Sequence, residues 1–290
     1  MKKIVVFMQN REFFGAQIVH IPLIKALKAQ YPKHHITLFT KHTVSKVLSY
    51  LVDEIVIEQS KWHAFKEYFS IGADITINLR KQSSLINFYT TLLNRRSKIG
   101  FATPITKLFF TQIKEHNPKS YRALNYLNLI DQAMEYESSS KVKRICIIAG
   151  AGEDFKIYPI RSYIELATKL KKRYPEYEIA FVLGPKESAL QEYIKEPFKL
   201  YFDLEIQKLF EVIGSSSLVI ANDCGPSHIA QISDVANIIL YSDEKANAIK
   251  VVDEWFNPKD NAKYLISAKN KKIATIEVQD IFREATKLLD

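Results

Sequence analysis

Residues able to handle a phosphate and a proton gather at two places in the second half of the chain. One is Asp223-Cys224-Gly225-Pro226-Ser227-His228, which follows the apolar run Leu218-Val219-Ile220-Ala221-Asn222. The other is Lys156-Ile157-Tyr158-Pro159, which follows the strand-like Lys143–Ala149 and the small-residue loop Gly150-Ala151-Gly152. A buried strand that ends in a tight loop and re-enters a helix turns backbone N–H groups and a helix dipole toward solvent, where they suit an anion. Gly225 lets backbone approach a ligand closely, and Pro226 is pre-set for helix entry. Lys156 would add a positive charge for a diphosphate. Alone, the first segment also fits an ordinary βα turn, with Asp223 as a cap and His228 on the surface. Two such strand–loop units in one half point instead to a single phosphorylated ligand. Cys224 as a nucleophile is disfavoured, because no His–Asp partner arrangement is legible around it.

The elements that must position these residues alternate along the whole chain. Hydrophobic runs predict strands at 4–8, 35–39, 54–57 and 75–79, with helices at 16–30, 62–69, 84–93 and 121–134. Pro22 falls inside the first helix and predicts a kink or a later start. A polar, serine-rich stretch, Glu137-Ser138-Ser139-Ser140-Lys141, reads as a linker. Alternation then resumes, with strands at 145–149, 178–183, 218–222 and 237–241. Helices are predicted at 161–172, 187–194, 204–213, 227–233 and 277–289. Strand–helix alternation on both sides of a linker calls for two α/β domains with parallel, doubly wound sheets. The expected boundaries are 1–137, a linker at 138–142, and 143–290.

Composition sets the outer limits. The chain has 290 residues, 47% hydrophobic and 25% charged, as a globular protein of two ordinary domains would. No apolar run reaches the ~20 residues a membrane span needs. The start, Met1-Lys2-Lys3 before a short strand, does not resemble a signal peptide, so cytoplasm is the expected compartment. Two cysteines, Cys146 and Cys224, argue against a disulfide framework or a zinc cluster. Adjacent acidic pairs such as Glu153-Asp154 and Asp243-Glu244 read as solvated loops, so no metal site is expected. Residues 1–140 carry 19 Lys/Arg against 10 Asp/Glu, whereas the remainder balances at 22 of each. A one-sided basic field implies an acidic partner: anionic lipid, a phosphorylated sugar, or nucleic acid. Nucleic acid is the least expected, since no helix-turn-helix, zinc-finger or aromatic RNA-binding signature is present.

The same segments carry a resemblance to glycosyltransferase family nine, the heptosyltransferase-like enzymes of lipopolysaccharide core synthesis. Asp223-Cys224-Gly225-Pro226-Ser227-His228 resembles the family's Asp-Thr-Gly-x-x-His signature, and Lys156-Ile157-Tyr158-Pro159 resembles its Lys-x-Trp-Pro signature. Gly15 to Pro22, followed by Leu23–Leu27 and Tyr31-Pro32, is similar to the family's opening run. Lys98-Ile99-Gly100-Phe101 and His116 also fall where members carry similar residues. The resemblance spans nearly the whole chain. It implies a GT-B fold: two Rossmann-like domains facing a cleft, the nucleotide sugar on the second and an acidic glycolipid acceptor on the first. It further implies inverting, metal-independent transfer without a cofactor, the donor being ADP-heptose in the first instance. The basic half would then meet the acceptor and touch the anionic inner membrane peripherally. Lys156, Asp223, Cys224, Gly225 and His228 would bind the nucleotide sugar, with backbone N–H groups of Cys224 and Gly225 on phosphate.

Two departures bear on chemistry. The family's catalytic aspartate directly follows the glycine, but here Gly15 is followed by Ala16 and Gln17 on the acceptor-side loop. Alanine cannot take a proton, so Glu12 in the same loop, His20 one helical turn on, or positioning alone must serve. And Ser242-Asp243-Glu244-Lys245 stands where a Gly-Pro-Thr-like loop is usual, which opens the choice of donor sugar. Three alternatives follow: a related enzyme with another nucleotide sugar, a non-catalytic relative that binds nucleotide or glycan, and a nucleotide-sugar epimerase or reductase. The last is disfavoured because neither half has Gly-x-Gly-x-x-Gly after its first strand.

Overall fold

A computed structural model of the chain describes residues 2–80, 84–94, 96–136 and 141–290. They divide into two compact units, Met1–Glu135 and Tyr136–Asp290. Of the expected linker, residues 138–140 lie outside the described residues, and Val142 already belongs to a strand.

The first unit runs β1 (Lys3–Phe7), α1 (Phe14–Ile18), α2 (Ile21–Gln30), β2 (His35–Thr40), β3 (Glu54–Ile57), α3 (Lys61–Ile71), β4 (Ile75–Asn78), α4 (Ser84–Leu93), β5 (Ser97–Phe101), α5 (Pro104–Phe109), β6 (Gln112–Lys114) and α6 (Arg122–Asn128). Its strands are all parallel, in the order β3-β2-β1-β4-β5-β6. Ile4 to Phe7 are buried on both faces, as a central parallel strand requires. The single helix expected at 16–30 is two. Pro22 sits in the first turn of α2, where its missing N–H costs nothing, and the backbone re-enters at His20. Ser60 caps α3 by accepting from the His63 N–H, and Gly72, left-handed at φ 63°, ends it. The helix expected at 121–134 stops at Asn128. Strands β5 and β6 and helix α5 went unpredicted. They are short, and β6 is only half-buried.

The second unit runs β7 (Val142–Ile148), α7 (Ile160–Arg173), β8 (Glu178–Leu183), β9 (Lys199–Phe202), α8 (Ile206–Gly214), β10 (Ser216–Asn222), α9 (Ser227–Ile232), β11 (Ala236–Tyr241), α10 (Ala248–Trp255), β12 (Ala262–Ile266) and α11 (Val278–Leu289). The order is β12-β11-β10-β7-β8-β9, again all parallel. The helix expected at 187–194 is a run of 3-10 turns, Pro185–Tyr193, with no buried residue to hold it as an α-helix. On one face, α7 lays Tyr163, Leu166 and Leu170 over Ile145 and Ile147, and α11 adds Ile281 and Ala285.

Both sheets grow outward from their first strand in one direction, then restart on its other side. That reversal separates the loops at the carboxyl ends of β1 and β4 in the first unit, and of β7 and β10 in the second. Such switch points are where doubly wound sheets hold ligands.

Candidate functional site

In the second unit the switch point is knotted by one side chain. Asn222, the last residue of β10, is fully buried. Its amide donates to the Ala149 and Gly150 carbonyls at 2.8 and 3.3 Å, and its Oδ1 accepts from the Tyr158 N–H at 3.2 Å and the Tyr163 hydroxyl at 2.9 Å. The loop after β7, the segment after Lys156 and the loop after β10 are thereby tied at one point. Next along the chain, Asp223 accepts an ion pair from Lys156, Nζ to Oδ2 at 2.8 Å, and Glu153 adds a second carboxylate at 3.6 Å. Burial alone would lower the Lys156 pKa, but Asp223 and Glu153 outweigh it, and the net shift is upward. The ammonium is therefore kept charged at neutral pH and held by side chains at the switch point.

Around this pair the loop is tied by hydrogen bonds. Ser227 Oγ donates to the Cys224 carbonyl at 2.8 Å, and the Asp223 N–H donates to the Leu240 carbonyl at 3.0 Å. Burial pushes the Cys224 thiol up to about 12, so the thiolate a nucleophile needs is not present at neutral pH. The Glu187 carboxylate rests on Gly150: a Cβ there would lie 2.5 Å from its Cδ. His228 is buried, its Nδ1 lying 3.1 Å from Gln231 Nε2 and its ring 5.5 Å from that of Trp255. Gln231 in turn accepts from the Asn257 N–H at 2.7 Å. Pro226 precedes α9 instead of opening it, and α9 has only six residues. The positive charge here is thus a lysine's more than a helix dipole's.

The first unit presents a different set at its own switch point. Arg80, just past β4, is 6% exposed. Its Nε donates to the Met8 carbonyl at 2.7 Å, an Nη donates to the Phe39 carbonyl at 3.2 Å, and both Nη atoms engage the carboxylate of Glu58, also buried. The carboxyl ends of β1, β2 and β4 and the residue after β3 are held together by this one guanidinium. Gly15, Ala16 and Gln17 lie buried in α1. Gln17 is a structural clasp: its amide donates to the Arg11 carbonyl at 2.7 Å, and its Oε1 accepts from Ser45 Oγ at 2.7 Å. Glu12 is exposed on the loop between β1 and α1. His20 is interior, stacked on Tyr126 at 4.9 Å, and burial lowers its pKa to about 4.

Of the residues singled out from sequence, Lys156 and Asp223 meet, and Cys224 and Gly225 form the loop beside them. Asn222, Glu153, Glu187, Tyr163 and the Arg80–Glu58 pair were missed. Asn222 was legible as the polar end of an apolar run; a strand-terminal asparagine before Asp-x-Gly has no apolar reason to be buried. Among the described residues, no group of three His, Cys, Asp or Glu side chains is arranged to hold a metal ion.

Two doubly wound α/β units, each with charged or polar side chains binding its switch-point loops, define a protein of the GT-B class. Residues 21–285 match glycosyltransferase family 9 (heptosyltransferase), and the chain belongs to that family. The lipopolysaccharide heptosyltransferase 1 of Campylobacter coli is 27% identical over 230 residues, which cover 71% of this chain and 66% of that protein. Among solved structures, a family 9 glycosyltransferase from Veillonella parvula aligns over 99% of this chain and 97% of its own, with a TM-score of 0.72 and 18% identity. The Escherichia coli heptosyltransferase WaaC with ADP aligns over 99% of each chain, with a TM-score of 0.73 and 12% identity. At these identities the structural likenesses establish the fold.

Proposed function

We propose that this glycosyltransferase moves heptose from ADP-heptose to an acidic glycolipid acceptor of a lipopolysaccharide or lipooligosaccharide core, with inversion and without a metal ion. The observation that carries the reading is the Lys156–Asp223 pair beside loops tied by Asn222, in a family 9 chain whose curated relative is a lipopolysaccharide heptosyltransferase. The second unit takes the donor and the first takes the acceptor. An acceptor hydroxyl oxygen attacks the anomeric carbon from the face opposite the nucleotide. The bond from that carbon to the diphosphate oxygen breaks, and the nucleoside diphosphate leaves with the electron pair. Lys156 neutralises the charge that grows on it.

The hydroxyl proton goes to Glu12, the carboxylate of the β1–α1 loop. His20 is set aside because its ring is buried and stacked against Tyr126, where neither nitrogen is open to an acceptor hydroxyl, whereas Glu12 is exposed. The enzyme works in the cytoplasm, peripherally on the inner membrane. A second reading, a binding protein without transfer, is favoured by one observation: Ala16, at the family's aspartate position, is buried and aprotic.

Calorimetry against ADP, UDP and GDP, followed by transfer assays with the corresponding sugar nucleotides, tests the proposal. ADP binding with heptose transfer supports it, and tight UDP binding would reassign the donor. If Glu12 is the base, Glu12→Gln lowers the rate by ~10²–10⁴-fold with ADP affinity intact. Nucleotide binding without transfer, across a range of acceptors, would leave the binding-protein reading.

A further inference from the structure

One face of the first unit is left apolar in a way its fold does not require. Helices α3 and α4 pack on the same side of the sheet, over a core of Val5, Phe7, Phe39, Tyr68 and Ile86, and α5 packs against α4. Their outward sides should be polar. Instead Trp62, Phe69, Phe88, Leu92, Leu108 and Phe109 are each half exposed or more, Leu108 at 77%. The patch is continuous across α3 and α4: Trp62 stacks on Phe65 at 5.3 Å, and Phe65 meets Tyr89 edge-on at 5.0 Å. Leu-Ile-Asn-Phe-Tyr-Thr-Thr-Leu-Leu of α4 carries no charge at all. Contiguous exposed apolar surface of this kind marks an interaction site.

The charges around it choose the partner. Lys61, Lys66 and Lys107 stand on these three helices against one acid of their own, Glu67, which pairs with His63 at 3.7 Å. Lys107 is matched by Glu115, just past β6, at 3.4 Å, which leaves Lys61 and Lys66 of α3 as the basic edge. The Lys66 ammonium lies 5.6 Å over the Trp62 ring, a cation above an exposed aromatic face. Residues 1–140 hold the entire net charge of +9. A second copy of the chain would set two such basic surfaces against each other, which is repulsive. An anionic bilayer offers what this face lacks: negative headgroups for the lysines and an interfacial layer for Trp and Phe.

We propose that the outer face of α3, α4 and α5 is a membrane-docking surface that inserts Trp62, Phe69, Phe88 and Leu108 among the headgroups and upper acyl chains of an anionic leaflet. It deepens the reading of the acceptor as a glycolipid, since it would hold the first unit where such an acceptor is presented.

The full chain is floated with phosphatidylethanolamine–phosphatidylglycerol vesicles and with phosphatidylcholine vesicles, at low and high salt. Binding is expected to the anionic vesicles, weakened but not abolished by salt. The paired substitution Phe88→Ser, Leu108→Ser should cut partitioning roughly tenfold or more. Lys61→Glu, Lys66→Glu should cut the salt-sensitive part. Ile249→Ser, which removes an equally exposed side chain of the second unit, should change nothing. Tryptophan emission should be quenched by brominated acyl chains, and Trp62→Phe should remove that quenching while partitioning persists. Absence of Trp62 quenching, or unchanged partitioning of the Phe88–Leu108 variant with its native melting curve retained, would overturn the proposal. So would a lipid-free dimer dissolved by the same substitutions. ADP binding is measured on the same samples. Its absence in the wild type would count against the transferase reading and leave the vesicle result readable.

Discussion

Lys156 and Asp223 form a pair whose two members should respond differently to substitution. The Lys156 ammonium is paired with the Asp223 carboxylate at 2.8 Å. A diphosphate must share or displace that carboxylate. Lys156→Ala should therefore weaken ADP binding by about 10- to 100-fold, the worth of a charged hydrogen bond of roughly 1.5–3 kcal/mol, toward the lower figure. Asp223→Asn should leave ADP affinity equal or higher, because it frees the lysine. Calorimetry with ADP reads both, and weaker binding by Asp223→Asn would place that carboxylate directly on the ligand. His20 makes a separate statement about acid stability. Burial lowers its pKa from 6.5 to about 4, so the folded state favours the neutral ring. Its contribution is complete above pH 6.5 and is lost as pH falls toward 4, on the order of 3 kcal/mol in all. Urea unfolding across that range should show the loss, and His20→Phe, which keeps the stack on Tyr126, should flatten it. The sequence pointed to Lys156 and Asp223 because each follows a strand-like run, and the two side chains do meet. It hid the Arg80–Glu58 pair, because those two residues meet only after β3 and β4 are placed on opposite sides of the β2–β1 pair.

At the scale of elements, legibility followed hydrophobic pattern. Central strands such as β1, β7 and β10 hold apolar runs buried on both faces. Strands β1 and β10 lie within two residues of their expected bounds, and β7 starts three residues early, on the charged and more exposed Lys143 and Arg144 side. Of the edge strands, β3 matches the expected 54–57, but the others show no such run. Strand β9 is half-exposed, and β12 has only Ala262 fully buried, so neither shows a clean run. Helix α10 was missed because its buried positions are few, Ala248 and Val252. Helix α11 was legible through Ile281 and Ala285, which face α7 with no exposure at all. That packing closes one side of the second sheet, so Ile281→Ala should cost about 2–5 kcal/mol of stability through the cavity it leaves. Chemical denaturation would register it as a lower midpoint with an unchanged slope. A cost under about 0.5 kcal/mol would mean that α11 is replaceable cover, since only surface substitutions are normally that mild.

At the scale of the whole chain, the two units differ in charge, and each has its own reversal of strand order. The halves were legible as two because alternation restarts after a polar, serine-rich stretch. The units part between Glu135 and Tyr136, just ahead of that stretch, of which residues 137–140 lie outside the described structure. This division allows the donor assignment to be read without knowing the acceptor. The chain has two tryptophans, Trp62 in the first unit and Trp255 in the second, where its ring lies 5.5 Å from His228 beside the proposed donor loop. Each reports its own unit on heating, and paired Trp→Phe variants separate the signals. A ligand that binds only the folded form stabilises it by about 2.7 kcal/mol at a hundred times its dissociation constant. For a unit of this size that is several degrees of melting temperature. ADP at saturating concentration should therefore raise the Trp255 transition in the Trp62→Phe protein, and Lys156→Ala should shrink the shift. If ADP instead raised only the Trp62 transition, in the Trp255→Phe protein, the donor would belong to the first unit. The Lys156–Asp223 pair would then be a structural ion pair.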